Sequence, residues 1–183
     1  MLTLGSRTAA PQISPLGAVA RGIAASALGT LAMDAVLYRR YKRGGGEIGF
    51  PAWESSAGLA SWDDAPAPAK VGKRLVEALL RRELPPRHVR LLNNVTHWGY
   101  GLFAGAQYGI LAGSLRSPRV RYGLPFGAGV WAAGYAVLPA MGIYRPIWDY
   151  DLETLGKDLS AHLVFGTATA AAFQALATER VTP

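Results

Sequence analysis

No cysteine occurs in this chain of 183 residues. Disulfides, thiolate metal sites and cysteine nucleophiles are therefore excluded, although the absence says nothing about compartment. Charge is scarce too, and unevenly placed. Asp, Glu, Lys and Arg make up 17% of the residues, yet the stretches 91–115, 122–144 and 159–178 contain none of them. Nor is there a phosphate-cradling glycine loop with a following lysine, a nucleophile elbow, or a helix with paired zinc-binding histidines. The run Gly44-Gly45-Gly46 has no strand before it and no helix directly after it, so it reads as a linker.

What is there is apolar sequence in blocks of membrane-crossing length. A helix spanning the hydrocarbon core needs about 20 mostly apolar residues. Four segments qualify: 16–38, 91–115, 122–144 and 159–178. The last three lack the stripe of charged residues that a water-facing bundle helix carries. The first holds Arg21 near one end, where it can snorkel toward headgroups, and Asp34 near the other. Met33-Asp34-Ala35 is a poor signal-peptidase site, so this segment reads as a retained helix. The expected fold is all-α: a single domain over 1–183, built as a four-helix transmembrane bundle with one long connection, 39–90.

Small residues recur at four-residue spacing within these spans. The second has Gly101, Gly105, Gly109 and Gly113; the first has Gly22, Ser26, Thr30 and Asp34; the fourth has His162, Gly166, Ala170 and Gln174. That spacing puts each set on one helix face. Lipid tails are as apolar as leucine, so membrane helices associate by close backbone approach, which small residues permit. Glycine-zipper packing within the bundle is the expectation, with a homo-oligomer seam as its extension. Pro125 and Pro139 are expected to bend the third span.

The connection opens on Arg39, Arg40, Lys42 and Arg43. Further on, Val71, Leu75, Leu79 and Leu80 share a helical face, with Lys73, Arg74, Arg81 and Arg82 around them. This pattern predicts an amphipathic helix on anionic lipid headgroups, or one docked on the end of the bundle. The net charge of +7 is compatible with nucleic acid, but basic residues interleaved with apolar spans favour a bilayer as the partner and no nucleic acid. Thirteen Lys and Arg fall on the side of the long connection and six on the other: Arg7, Arg21, Arg116, Arg119, Arg121 and Arg180. The positive-inside rule then places 39–90 in the cytoplasm and both termini outside, although three arginines crowd the short loop on the far side.

Ionisable groups inside a span are functional candidates because burying them in hydrocarbon is costly. Asp34, His97 and His162 are such groups. Antiparallel crossing brings all three to the face of the long connection, where Tyr144 joins them as a polar cluster. Asn93 and Asp158, one turn before the two histidines, are placed to orient the imidazoles. The set has no diagnostic spacing, and no cofactor is predicted from it. Three roles remain open: polar contacts between helices, a proton or ion relay, and ligation of a metal or a b-type haem by Asp34, His97 and His162. The reading favoured is a non-enzymatic, glycine-packed membrane bundle; the alternative is a proton- or ion-coupled, or metal- or haem-binding, membrane protein.

Three blocks in the C-terminal half carry a resemblance. They are Thr96-His97-Trp98-Gly99-Tyr100-Gly101 with Tyr108-Gly109, then Leu138-Pro139-Ala140-Met141-Gly142, then Asp158-Leu159-Ser160-Ala161-His162-Leu163-Val164-Phe165-Gly166. In this order they resemble the YagU-like bacterial inner-membrane proteins, a family without an established biochemical activity. The resemblance implies an inner-membrane address and no chemistry.

Overall fold

The computed structural model describes residues 14–115 and 118–178. Arg7, Arg116 and Arg180, counted in the charge argument, lie outside the described residues. Within them the chain is helical and contains no strand: α1 (Pro15–Arg43), α2 (Phe50–Glu54), α3 (Ala67–Leu80), α4 (Val89–Gly113), α5 (Gly123–Ala140) and α6 (Leu152–Thr178).

Local sequence sets the helix ends. Ser14 accepts from the Gly17 amide (3.2 Å) and Pro15 fills the first turn of α1, where no donor is needed. Hydropathy places the end of the first span at 38, but α1 continues through its basic turn to Arg43. There the Arg40 guanidinium donates to the Lys157 carbonyl (2.6 Å) and to Ser160 Oγ (2.9 Å) of α6. Likewise α6 starts at Leu152, not 159, because Asp151 accepts from the amide (2.7 Å) and hydroxyl (2.8 Å) of Thr154. At the other end of the molecule, Arg21 does not simply snorkel. Its Nε donates to the Leu176 carbonyl (3.0 Å) in the last turn of α6, where a cation suits the helix dipole. Pro125 lies in the first turn of α5 and Pro139 next to its last residue, so neither interrupts the helix.

Helix α1 is central, packed between α4 and α6, while α5 leans on the outer side of α6 and α3 on α4. The interior is made of small residues such as Ala18, Ala25, Ala104, Ala112, Ala161 and Ala170. Apart from Phe173 and Val89, the largest fully buried side chains are Thr30, Thr169, Asp34 and Ser26. Large apolar side chains point outward: Leu28, Phe103, Ile110, Leu111 and Val137 are all exposed. Soluble proteins show the opposite preference, with Leu, Ile and Phe inside.

Two helices, α1 and α6, are long and apolar enough to cross a membrane. The other two expected spans fall short of that measure. Asn93, Asn94, His97 and Gln107 dilute the apolar content of α4, and α5 has only 18 residues, with glycine and proline among them.

The connection is folded rather than slack. Trp62, Leu59, Ala65, Ala69 and Val89 form a small core, and Trp62 Nε1 donates to the Leu84 carbonyl (2.9 Å). Of the four basic residues expected to face lipid headgroups, two turn to the protein. Lys73 sits over the Trp62 ring (5.2 Å) and pairs with Glu77 (3.8 Å), while Arg74 reaches the Gly142 carbonyl (3.4 Å). Arg81 and Arg82 are exposed. Helix α3 buries Ala69 and Gly72, its small face, and leaves Leu75 and Leu79 outside.

Candidate functional site

The site grows out of the α1–α4 junction. A Cβ built on Gly105 would overlap Ser26 and the Gly22 carbonyl; one on Gly109 would overlap the Ala18 backbone; one on Gly101 would meet the Thr30 hydroxyl. Gly113 faces the Ala18 methyl, and Gly22 faces the backbone of Gly105 and Gly109. The two helices therefore interlock antiparallel, rung by rung, every four residues. Gly166 makes the same kind of contact with Gly123 and Gly127, locking α6 to α5. Only glycine allows backbones this close, and the approach carries the next rung of each helix into contact.

That next rung is Asp34 opposite His97. Both carboxylate oxygens of Asp34 lie 3.0 Å from His97 Nε2. Asp34 is 2% exposed, and it is the one carboxylate among the buried residues described. A buried carboxylate with no partner is strongly disfavoured, and the imidazole supplies both a hydrogen bond and, when protonated, a countercharge.

A third ionisable group comes from the connection. The chain after α1 folds back through Gly45, whose φ of 90° lies in the left-handed region, and Gly46, where any Cβ would enter the Tyr41 ring. Tyr41 Oη accepts from the amides of Glu47 (3.1 Å) and Ile48 (3.3 Å), and Tyr38 Oη donates to the Ile48 carbonyl (3.2 Å). Tyr38 and Tyr41 then stack with Phe50 and Trp53, ring centroids 5.2–6.2 Å apart. This aromatic clasp seats α2 so that Glu54 reaches the pair, and Trp98 Nε1 donates to its Oε1 (3.1 Å). Burial pushes the Glu54 carboxyl above its ordinary value, and the adjacent Asp34 charge pushes it the same way. The glycine run read as a linker is thus a fixed turn, and Glu54 was not a candidate from sequence. The signal available was the matched spacing of Tyr38 with Tyr41 and Phe50 with Trp53 on either side of the glycines.

The remaining predicted residues divide. Asn93 does not hold His97; its amide donates to Ser56 Oγ (2.7 Å), pinning the 55–56 turn to α4. His162 lies within electrostatic range of His97 but hydrogen-bonds within its own helix, Nδ1 to the Asp158 carbonyl (2.9 Å) with the Asp158 carboxylate at 3.4 Å. Tyr144 belongs to this second group, packed on Tyr135 (5.3 Å) and Tyr150 (6.1 Å) beside Asp158. The single cluster expected from sequence is therefore two neighbouring ones: Asp34–His97–Glu54 on α1, α4 and α2, and His162–Asp158 with three tyrosines on α5, α6 and the loop between them.

Chemically, the first group is an acid–imidazole pair with a second carboxyl beside it, a set suited to holding and passing a proton. Nε2 of His97 is directed at Asp34. Among the described residues no three His, Asp or Glu side chains are grouped to hold a metal ion. No family model, no characterised protein and no solved structure matches the chain.

Proposed function

We propose that this is a non-enzymatic integral protein of the inner membrane that crosses it four times, and that Asp34 and His97 together bind and release a proton on the side of the long connection. The observation that carries the proton site is Asp34 itself: a carboxylate 2% exposed, with both oxygens 3.0 Å from an imidazole nitrogen, the side chain type suited to proton exchange. Glu54, partly exposed and next to Asp34, is the route by which a proton enters or leaves. The reading of four spans is supported by the apolar side chains that α1, α4 and α5 expose, Leu28, Phe103, Ile110, Leu111 and Val137 among them, over an interior rich in alanine and glycine. The resemblance to YagU-like proteins favours the inner membrane, and the charge count favours a cytoplasmic connection.

The absence of cysteine makes the span test clean. Single cysteines at exposed Leu28, Phe103 and Val137, spin-labelled in liposomes, are expected to be relaxed by oxygen and shielded from a water-soluble nickel complex. Relaxation by nickel at Phe103 or Val137 would reduce the membrane domain to α1 and α6. For the proton, infrared difference spectra of the reconstituted protein between acid and alkaline pH are expected to show bands of the pair that are lost in Asp34→Asn. An unchanged set of titrating bands in that variant would reject the site.

A further inference from the structure

At the membrane face opposite the proton site, α4 and α5 diverge around a groove of about 300 Å³ lined by Tyr108, Leu111, Ala112, Leu115, Pro125 and Phe126, with Tyr122 at its mouth. We infer that this groove and the short loop beside it bind an anionic glycerophospholipid, with one acyl chain in the groove and the phosphate on Arg119 and Arg121. The inference rests on the four-span reading, because only then does the groove open into acyl chains.

Three observations support it. The first is charge. Arg119 and Arg121 are exposed, and Arg121 lies over the ring of Tyr122 (5.5 Å), which places its guanidinium at the groove mouth. Eleven of the twelve acidic residues belong to Asp34 or to the side of the long connection; only Glu179 follows the far end of α6. These arginines therefore face an end of the molecule almost without carboxylates, and Arg21, the other described cation there, is committed to the Leu176 carbonyl. Concentrating arginine on this loop opposes the charge rule for topology, and a phosphate ligand accounts for it.

The second observation is Tyr108, which is 3% exposed and whose hydroxyl is buried without a partner. An unpaired buried hydroxyl costs free energy unless a ligand satisfies it. The residue is five positions inward from Gly113, about 7.5 Å along the helix axis at 1.5 Å per residue. Tyr108 thus lies on the inner side of the arginine residues, within the apolar part of the groove.

The third is shape. Tyr108 packs on Phe126 (4.8 Å) and Phe173 (5.6 Å), closing the groove on its inner side. Leu111 and Leu115 form an open apolar wall towards the bilayer, both of them exposed. The result is a slot with a closed floor, an open side and a cationic rim, which fits a two-chain lipid whose second chain stays in the bilayer.

The test uses the full chain in nanodiscs of phosphatidylcholine containing a minor fraction of phosphatidylglycerol, followed by native mass spectrometry of the lipid that is kept after release. The wild type is expected to retain phosphatidylglycerol in preference to phosphatidylcholine. Retention should fall roughly 10- to 30-fold in Arg119→Gln/Arg121→Gln, from the loss of two cations near an anionic surface. It should fall also in Leu111→Trp, which fills the groove and leaves both arginines in place. Equal retention in the wild type and in either variant overturns the proposal. Displacement of the lipid by inorganic phosphate alone overturns it as well, since the groove would then contribute nothing. Failure of the protein to enter nanodiscs of any composition refutes the membrane reading instead, so the two failures are distinguishable.

Discussion

Gly99 and Gly105 stand on the same helix, six residues apart, and the structure assigns opposite signs to the same substitution at the two positions. A Cβ on Gly99 meets nothing within 4 Å, whereas one on Gly105 runs into the Ser26 side chain and the Gly22 carbonyl. The obstacle at Gly105 is partly backbone, so α1 and α4 must separate to admit a methyl group. Forcing a methylene-sized group into a packed site costs about 1–3 kcal/mol. At Gly99 the change removes only the conformational freedom of glycine in a helix, a gain of about 0.5–1 kcal/mol. That gain is common to both sites and cancels, so the two variants should differ by roughly 1–3 kcal/mol in unfolding free energy. Gly101→Ala, which meets only the Thr30 hydroxyl, should fall between them. Reversible unfolding in mixed micelles with increasing dodecyl sulfate, followed by far-UV circular dichroism, reads the difference directly. Equal destabilisation by Gly99→Ala and Gly105→Ala would refute the interlocked α1–α4 face.

Two further outcomes concern the polar group. For Glu54, whose carboxyl sits above its ordinary value of 4.5, the folded state holds a proton to higher pH than the unfolded chain does. Its contribution to stability is therefore present at acid pH and lost as pH rises from 4.5 through the raised value; subtracting the stability profile of Glu54→Gln from that of the wild type should show this fall, and a flat difference would contradict it. For the buried pair, Asp34→Ala or His97→Ala alone should cost about 3–5 kcal/mol, while Asp34→Leu/His97→Leu should cost much less, because replacing both partners leaves no stranded charge. Additive losses measured by the same unfolding assay would mean that the two side chains do not act together.

Periodicity made the helix-packing faces legible, because the close contacts recur every four residues and sequence spacing records that directly. Asp34 and His97 were legible for another reason: an ionisable residue in an apolar span is improbable without a partner, although the sequence grouped them with His162 and Tyr144 and did not pair them. What the pattern could not convey was the folded connection. Asn93 has the correct spacing to support His97, but its amide is taken by Ser56, a residue 37 positions away. Glu54 lies on a helix of five residues, too short for any period to emerge. The ends of α1 and α6 were misplaced by several residues because hydropathy registers the apolar part of a helix only. Arg40 and Asp151 extend both helices through hydrogen bonds that carry no hydropathic signal. By hydropathy only α1 and α6 are apolar enough to cross a membrane, since glycine, proline and asparagine lower the average over α4 and α5.

The glycine face and the Asp34–His97 pair bear on one question, which is how α1 finds its register on α4. The rungs Ala18–Gly113, Gly22–Gly109, Ser26–Gly105 and Thr30–Gly101 are nearly alike, so a slip of four residues, about 6 Å, replaces each small contact with another. Such a face specifies closeness and leaves position degenerate. Asp34 opposite His97 removes the degeneracy, because any slipped register leaves a carboxylate buried without its imidazole; polar residues in apolar helix seams set register in this way. Spin labels on exposed Leu28 and Phe103 should accordingly give one narrow distance distribution in the otherwise native protein. In Asp34→Ala/His97→Ala a second population should appear, offset by the 6 Å of one rung along the axis. A single unshifted distribution in that double variant would mean that the glycine contacts and the connecting turns fix the register by themselves, and that the pair is kept for its proton alone.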